Sequence, residues 1–370
     1  MNSFFLLISL SVFILIGAYF YFFFRRFLTL FPWIKGVGVS RIICAAGALG
    51  CIAVSRRIYG FGAVLVLHFL VLGVVMDILQ IIFKRKVKSR VFHKWWSFLY
   101  RSGLVSAALI VLWMGYGYWN IHQIHRTEYT VSTEKKLDKD FKIVQISDLH
   151  MGTTMDTEKL SSILEKIGQE GADMLALTGD IFDESTSKEM MEETAALLGG
   201  ADTAYGTFYV YGNHDYNAYV RNPNYTAEEL KTTLERCKVQ VLDDRYIELG
   251  QGVTIIGRND ASVSREDLGN LLRGIDREEF LLLLDHQPRQ GAEYDEAGID
   301  LQLAGHTHAG QIWPTGQLGA LSGMTEQNYG LAGYGTFQRI VSSGIAGWGY
   351  AVRTGGHSEY VVVTVKSSGK

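Results

Sequence analysis

Only three cysteines occur in 370 residues, and their placement removes two classes of chemistry. Cys44 and Cys51 fall in an apolar stretch and Cys237 stands alone in the later part, so neither a disulfide framework nor a thiolate metal site can be built from them. An excess of one charge is also missing. Lys and Arg number 35 against 38 Asp and Glu, a net charge of −3, which argues against nucleic acid as a general partner. No internal repeat or low-complexity tract interrupts the chain. Residues 4–24 carry no charge, and they lack the basic flank and small-residue cleavage site of a removable targeting peptide; a retained membrane helix is expected.

What fills the first 120 residues is Leu, Ile, Val, Phe and Gly. A membrane helix needs about 20 apolar residues to cross roughly 30 Å of hydrocarbon. Residues 4–24, 58–83 and 103–119 meet that length, and residues 42–55, closely flanked by Arg41 and Arg56, meet it if extended back through 37–39. The first connection carries Arg25, Arg26, Lys35 and Arg41, the third Lys84, Arg85, Lys86, Lys88, Arg90, Lys94 and Arg101, and the second only Arg56 and Arg57. With four spans both rich connections share one side, which the positive-inside rule makes cytoplasmic. The expectation is a multi-pass cell membrane protein whose N-terminus and later domain are extracytoplasmic. Tyr116, Tyr118 and Trp119 read as an interfacial belt ending the fourth span. His68 and Asp77 lie inside the third span, where an ionisable group is a functional candidate. Asp77 is close enough to the basic end to reach the interface or pair with an arginine.

From residue 141 the pattern becomes alternating. Strands are expected at 142–147, 172–178, 207–211, 239–242, 246–249, 253–257, 280–284, 299–303, 339–343 and 360–365, with helices at 157–170, 187–198, 226–237 and near 265–273. Thr226 and Glu229 form a capping box for the third of these helices. The organisation is therefore a helical membrane region (1–120), a linker with a first strand (121–140), and a mixed-sheet α/β domain (141–370).

Chemistry gathers at the strand ends. Asp148-Leu149-His150, Gly179-Asp180, Gly212-Asn213-His214-Asp215, Asp285-His286 and Gly305-His306-Thr307-His308 each follow an apolar, β-prone run. Strands ending in ligand-bearing loops can converge on one point. Oxygen and nitrogen ligands without sulfur suit two hard or borderline cations sharing a carboxylate. Such a pair would hold a hydroxide and polarise a phosphoryl group for in-line attack. Asp180, after a glycine that admits close backbone approach, suits the bridging role, and Asn213 offers a neutral carbonyl oxygen. His286, His306 and His308 complete the set, although spacing alone does not divide the last two between cations. His214 is free to face substrate, with Asp215 as a partner for its second ring nitrogen.

Taken together, these motifs resemble the signature of the calcineurin-like metallophosphoesterases. The resemblance covers residues 140–370 and implies a four-layer α/β/β/α sandwich of two mixed sheets, here preceded by about four transmembrane helices. It further implies two divalent ions (Mn, Fe or Zn), one held by Asp148, His150, Asp180 and His308, the other by Asp180, Asn213, His286 and His306, with His214 as the catalytic histidine. The run from His306 to Pro314 and the later Ser343-Gly344-Ile345-Ala346-Gly347-Trp348-Gly349 with Arg353 look like a membrane-associated bacterial branch that includes UDP-2,3-diacylglucosamine pyrophosphatase-like proteins. Gly356-His357-Ser358-Glu359 departs from that branch's usual Pro-Pro-Glu. Arg353 is a candidate phosphate donor, and Gln311 and Trp313 are candidates to line the pocket. The expected activity is hydrolysis of a phosphoester or pyrophosphate in a small-molecule, envelope or lipid-linked substrate beside the bilayer. A metal-binding membrane sensor without turnover is the alternative. A transporter role lacks the Gly/Pro-broken paired helices it would need.

Overall fold

The computed structural model describes residues 3–34, 36–57, 60–323 and 325–367, with side chains from residue 10 onward; Lys35 and the expected start of the third span at residue 58 lie outside them. Contacts divide the chain into two units, Met1–Tyr116 and Gly117–Lys370.

The first unit is helical: α1 (Ser3–Phe27), α2 (Val37–Ser55), α3 (Phe61–Lys86), α4 (Arg90–Ser102) and the start of α5 (Leu104–Ile121). Four of the five helices, all but α4, are long and apolar enough to cross a membrane, and α2 does begin at Val37. Asp77 is paired, as one of the two readings required: Arg26 Nη1 donates to it at 2.5 Å and the Tyr100 hydroxyl at 2.7 Å. That bond ties the end of α1 to the basic end of α3. His68 is buried, with Nδ1 2.8 Å from the Val64 carbonyl. The third connection is not a bare loop but contains α4. Ser89 caps it, accepting from the Phe92 N–H, and Gly103 at φ 70° ends it. Phe92 and Trp96 close on Phe83 of α3, ring centroids 5.3 and 4.7 Å apart.

In the second unit the elements run β1 (Ile124–Thr133), β2 (Phe141–Ile146), α6 (Thr157–Gly168), β3 (Met174–Thr178), α7 (Lys188–Gly199), β4 (Thr207–Val210), α8 (Ala227–Arg236) and β5 (Val239–Val241). There follow β6 (Arg245–Gly250), β7 (Val253–Gly257), α9 (Leu268–Leu271), β8 (Phe280–Leu284), α10 (Gly291–Glu296), β9 (Leu301–Ala304), α11 (Thr315–Leu321), β10 (Gly330–Tyr334), β11 (Phe337–Val341) and β12 (Ser358–Ser367). Two six-stranded mixed sheets form, in the orders β1-β12-β2-β3-β4-β5 and β10-β11-β9-β8-β7-β6.

The period-2 alternation of each strand explains the layering. On β3, Met174 and Ala176 join the core between the sheets, while Leu175 and Leu177 meet the outer helices. On β8, Phe280, Leu282 and Leu284 face the intersheet core, and Leu281 and Leu283 face the opposite outer layer with Leu268 and Tyr294. Strands buried on both faces must read as continuous apolar runs, which is how they look in the sequence. The result is the four-layer α/β/β/α sandwich. The capping box at Thr226 and Glu229 is present. The helix expected near 265–273 contracts to one turn, Leu268–Leu271, while α10 is only six residues long and α11 and β10 lie in Gly-rich sequence, all too short for their periodicity to be read.

Strands β2, β3 and β4 are parallel neighbours in one sheet, and β7, β8 and β9 in the other. Their C-terminal ends therefore open toward one edge. Gln145 of β2 fastens the sheets there, its Nε2 donating to Thr178 Oγ1 at 2.8 Å and to the Ala304 carbonyl at 2.9 Å.

Candidate metal centre

The loops after β2, β3, β4, β8 and β9 carry the expected ligands, and several are bent in the same unusual way. Asp148 (φ 53°), His150 (41°), Asp180 (52°), His306 (72°) and His308 (50°) all adopt left-handed backbone. Non-glycine residues pay roughly 1 kcal/mol or more each for that conformation, and such strain concentrates at functional sites. Two glycines permit the crowding. A Cβ on Gly179, itself at φ +86°, would lie 2.6 Å from His286 Nδ1, and one on Gly305 would collide with the Ser147 and Asp148 side chains.

The side chains fall into two groups, Asp148 with His150 and His308, and Asp180 with His286 and His306, the ligand atoms in each lying within 4.8 Å of one another. In the first, His150 Nε2 is 3.3 Å from His308 Nε2, which is 3.4 Å from Asp148 Oδ1. In the second, His286 Nε2 lies 3.1 Å from Asp180 Oδ2 and 3.3 Å from His306 Nδ1. Asp180 Oδ2 also reaches within 3.8 Å of His150 Nε2, so its carboxylate stands between the groups. His286 Nδ1 faces the Thr178 carbonyl at 2.8 Å; a carbonyl only accepts, so Nδ1 holds a proton and Nε2 is the nitrogen turned to the centre. His150 Nδ1 is 3.3 Å from Asp183 Oδ2, an orienting contact of the same kind.

These residues fit a pair of cations. Ring nitrogens facing each other at 3.3 Å bring two potential ligand atoms together in each group. The Asn213 Oδ1 is buried with no hydrogen-bond partner, an uncompensated acceptor whose cost a cation would remove. Burial, with the charge of His286, pushes His306 down to about 4, and burial with the charge of His150 pushes His308 lower still; both are neutral, as ligands must be. Asp180 is held well below the usual carboxylate range: its burial opposes ionisation, but His286 outweighs it.

His214 sits beside this centre, its ring centroid 5.3 Å from that of His150. Its orienting partner differs from expectation. Asp215 does not reach the ring; its carboxylate is buried and accepts the N–H groups of Asp180 (2.8 Å), Phe182 (2.9 Å) and Gly212 (2.7 Å), lacing the β3 and β4 loops together. Backbone geometry decided this, since three unsatisfied N–H groups converge where Asp215 lies. Glu184 takes the place at the ring, its two oxygens 3.1 and 3.0 Å from His214 Nδ1. Burial opposes protonation of His214, but Glu184 and then Asp180 outweigh it and raise its pKa. The sequence did carry a signal for Asp183 and Glu184: they lie three and four residues after Asp180 on the same loop.

Two further expectations are corrected. The Arg353 guanidinium is fully buried and donates to the carbonyls of His308, Ser343, His357 and Ala346, so it shapes the surrounding loops and offers nothing to a phosphate. Gln311 is also buried; its Nε2 donates to the carbonyls of Trp348, Tyr350 and Val352 and its Oε1 accepts the Trp348 N–H, so it supports the 348–352 loop instead of lining a pocket. Trp313 is half-buried, its N–H donating to Thr354 Oγ1. The aromatic rings that meet His214 are those of Tyr219 and Trp348, each with its centroid 5.0 Å away.

A family model described as calcineurin-like phosphoesterase matches residues 141–310. An uncharacterized metallophosphoesterase of Helicobacter pylori J99 is 32% identical over 262 residues, covering 68% of this chain and 66% of that one, just under two thirds of its length. The uncharacterized metallophosphoesterase YkuE of Bacillus subtilis is 30% identical over 219 residues, 57% of this chain and 74% of the relative. A transmembrane protein with a metallophosphoesterase domain from Danio rerio is 27% identical over 190 residues, 47% of this chain and 41% of that one.

Proposed function

This chain belongs to the calcineurin-like phosphoesterase family, and we propose that it is a membrane-anchored hydrolase using two divalent ions to cleave a phosphoester or pyrophosphate bond. The observation that carries the reading is the division of six ligands into two groups with the Asp180 carboxylate between them. Mn, Fe or Zn suits this oxygen and nitrogen donor set. Ions held by these residues would supply Lewis acidity toward the phosphoryl group and a bound water. The rest falls to the chain. Glu184 holds Nδ1 of His214, which leaves Nε2 to meet an ester oxygen and pass it a proton. Asp215 keeps the Asp180 and Asn213 loops in register.

The substrate we favour is an envelope or lipid-linked phosphoester or pyrophosphate, because the four apolar helices would keep the domain at a bilayer. The pyrophosphatase-like motifs around His306 and Trp348 support the pyrophosphate option. The basic first and third connections support an extracytoplasmic catalytic domain. Full-length protein in detergent should release product from a generic phosphodiester with Mn and stop on chelation; metal binding without turnover on phosphodiesters, monoesters and lipid pyrophosphates would leave the sensor reading. For topology, a Glu134→Cys variant on a background lacking the native cysteines should react with an impermeant reagent on intact cells, and Lys88→Cys should not. The opposite pattern inverts the arrangement.

A further inference from the structure

The first 116 residues hold thirteen Lys and Arg but a single acidic residue, Asp77, and no other carboxylate occurs before Glu128. Asp77 is spent on Arg26 and Tyr100. Lys84, Arg85, Lys86, Lys88 and Arg90 crowd five cations into seven residues at the α3–α4 corner, all exposed and none in an ion pair among the described residues. Their counter-ions must come from outside the unit.

Helix α4 shows where that counter-charge lies. Its 13 residues span about 20 Å at about 1.5 Å each, too short to cross the hydrocarbon. One face is occupied: Phe92 and Trp96 pack on Phe83, and Trp96 Nε1 donates to Gln80 at 2.6 Å. Yet Val91 (69% exposed), Trp95 (69%) and Phe98 (47%), at i, i+4 and i+7, form a second apolar stripe that no protein covers among the described residues. Lys94 lies beside it. A short helix with an uncovered apolar stripe, continuous with a run of unpaired cations, matches one environment: the boundary of a bilayer whose headgroups are anionic. A topology signal alone needs the charges and not the stripe.

We infer that the α3–α4 corner is a binding site for anionic phospholipid, with Lys84, Arg85, Lys86, Lys88 and Arg90 on the phosphates and Val91, Trp95 and Phe98 among the upper acyl carbons. The full-length protein, delipidated in detergent and offered equal phosphatidylglycerol and phosphatidylcholine, is assayed by mass spectrometry of the lipid that co-purifies. Wild type should prefer phosphatidylglycerol by about tenfold or more, and the K84Q/R85Q/K86Q/K88Q variant should fall near parity. W95A should weaken total lipid retention while keeping the preference. If the glutamine variant is poorly folded, K84R/K86R/K88R should keep the preference and molar salt should abolish it in wild type. No preference in wild type, or a preference that survives both the glutamines and the salt, overturns the proposal. So does displacement by millimolar glycerol phosphate, which would mark a site for a soluble anion.

Discussion

The two units treat their carboxylates in opposite ways. In the helical unit the one acid, Asp77, is closed off by a cation and a hydroxyl, Arg26 at 2.5 Å and Tyr100 at 2.7 Å. In the catalytic unit Asp148 and Asp180 are buried as deeply as any residue, and among the described residues no Lys or Arg forms an ion pair with either. Their neighbours are imidazoles. A carboxylate with its own fixed cation is electrostatically complete, whereas one surrounded by imidazoles, which give up their protons to a metal, can still take up a cation. The contrast separates a structural charge from a site.

The strongest test of that contrast is Asp180→Asn. It removes the shared charge, so activity should fall by more than about 100-fold, beyond the usual cost of losing a supporting partner, and metal content measured by elemental analysis should fall with it. Wild-type activity in this variant would put Asp180 outside the centre. Glu184→Gln probes a milder loss. It keeps shape but drops the charge behind His214, and a decrease in kcat of about 10-fold with metal content unchanged is expected. A fall in metal content would instead make Glu184 part of the ligand scaffold. Across the comparison, Arg26→Leu should lower the thermal stability of the detergent-solubilised protein by about 1 kcal/mol, and Arg26→Leu with Asp77→Leu should regain most of it. Phosphoesterase turnover under saturating metal should be unaffected by either change if Asp77 is only structural.

The smallest effect concerns an ordinary surface pair. Arg126, with Lys142, holds the Glu170 carboxyl down to about 2, from 4.5. A depressed folded value means the stabilisation is complete above the unfolded value and drains away as pH falls from about 4.5 toward 2. Urea melts of wild type and Glu170→Gln should therefore differ by at most about 1 kcal/mol at pH 6 and converge near pH 2. Equal stability at pH 6 would mean the pair contributes nothing.

The ligand set was legible in the sequence because each ligand sits directly after an apolar run: a strand fully buried on both faces leaves no choice of where its loop emerges. The membrane helices were legible for a similar reason, since length and lack of charge are local properties. Helix α4 was hidden, because its basic residues read as a connection while its two apolar faces, one on α3 and one uncovered, appear only once α3 is beside it. The sequence by itself thus determined the mixed-sheet α/β class, the apolar helices and the candidate ligands, which rest on periodicity and strand ends, while the four-layer arrangement was implied by the family resemblance. Only the tertiary structure decided that Glu184 and not Asp215 orients His214, and that Arg353 and Gln311 hold loops instead of substrate. Those outcomes depend on which unsatisfied N–H or carbonyl lies within about 3 Å, and adjacency of that kind is set by the packing of two sheets against each other.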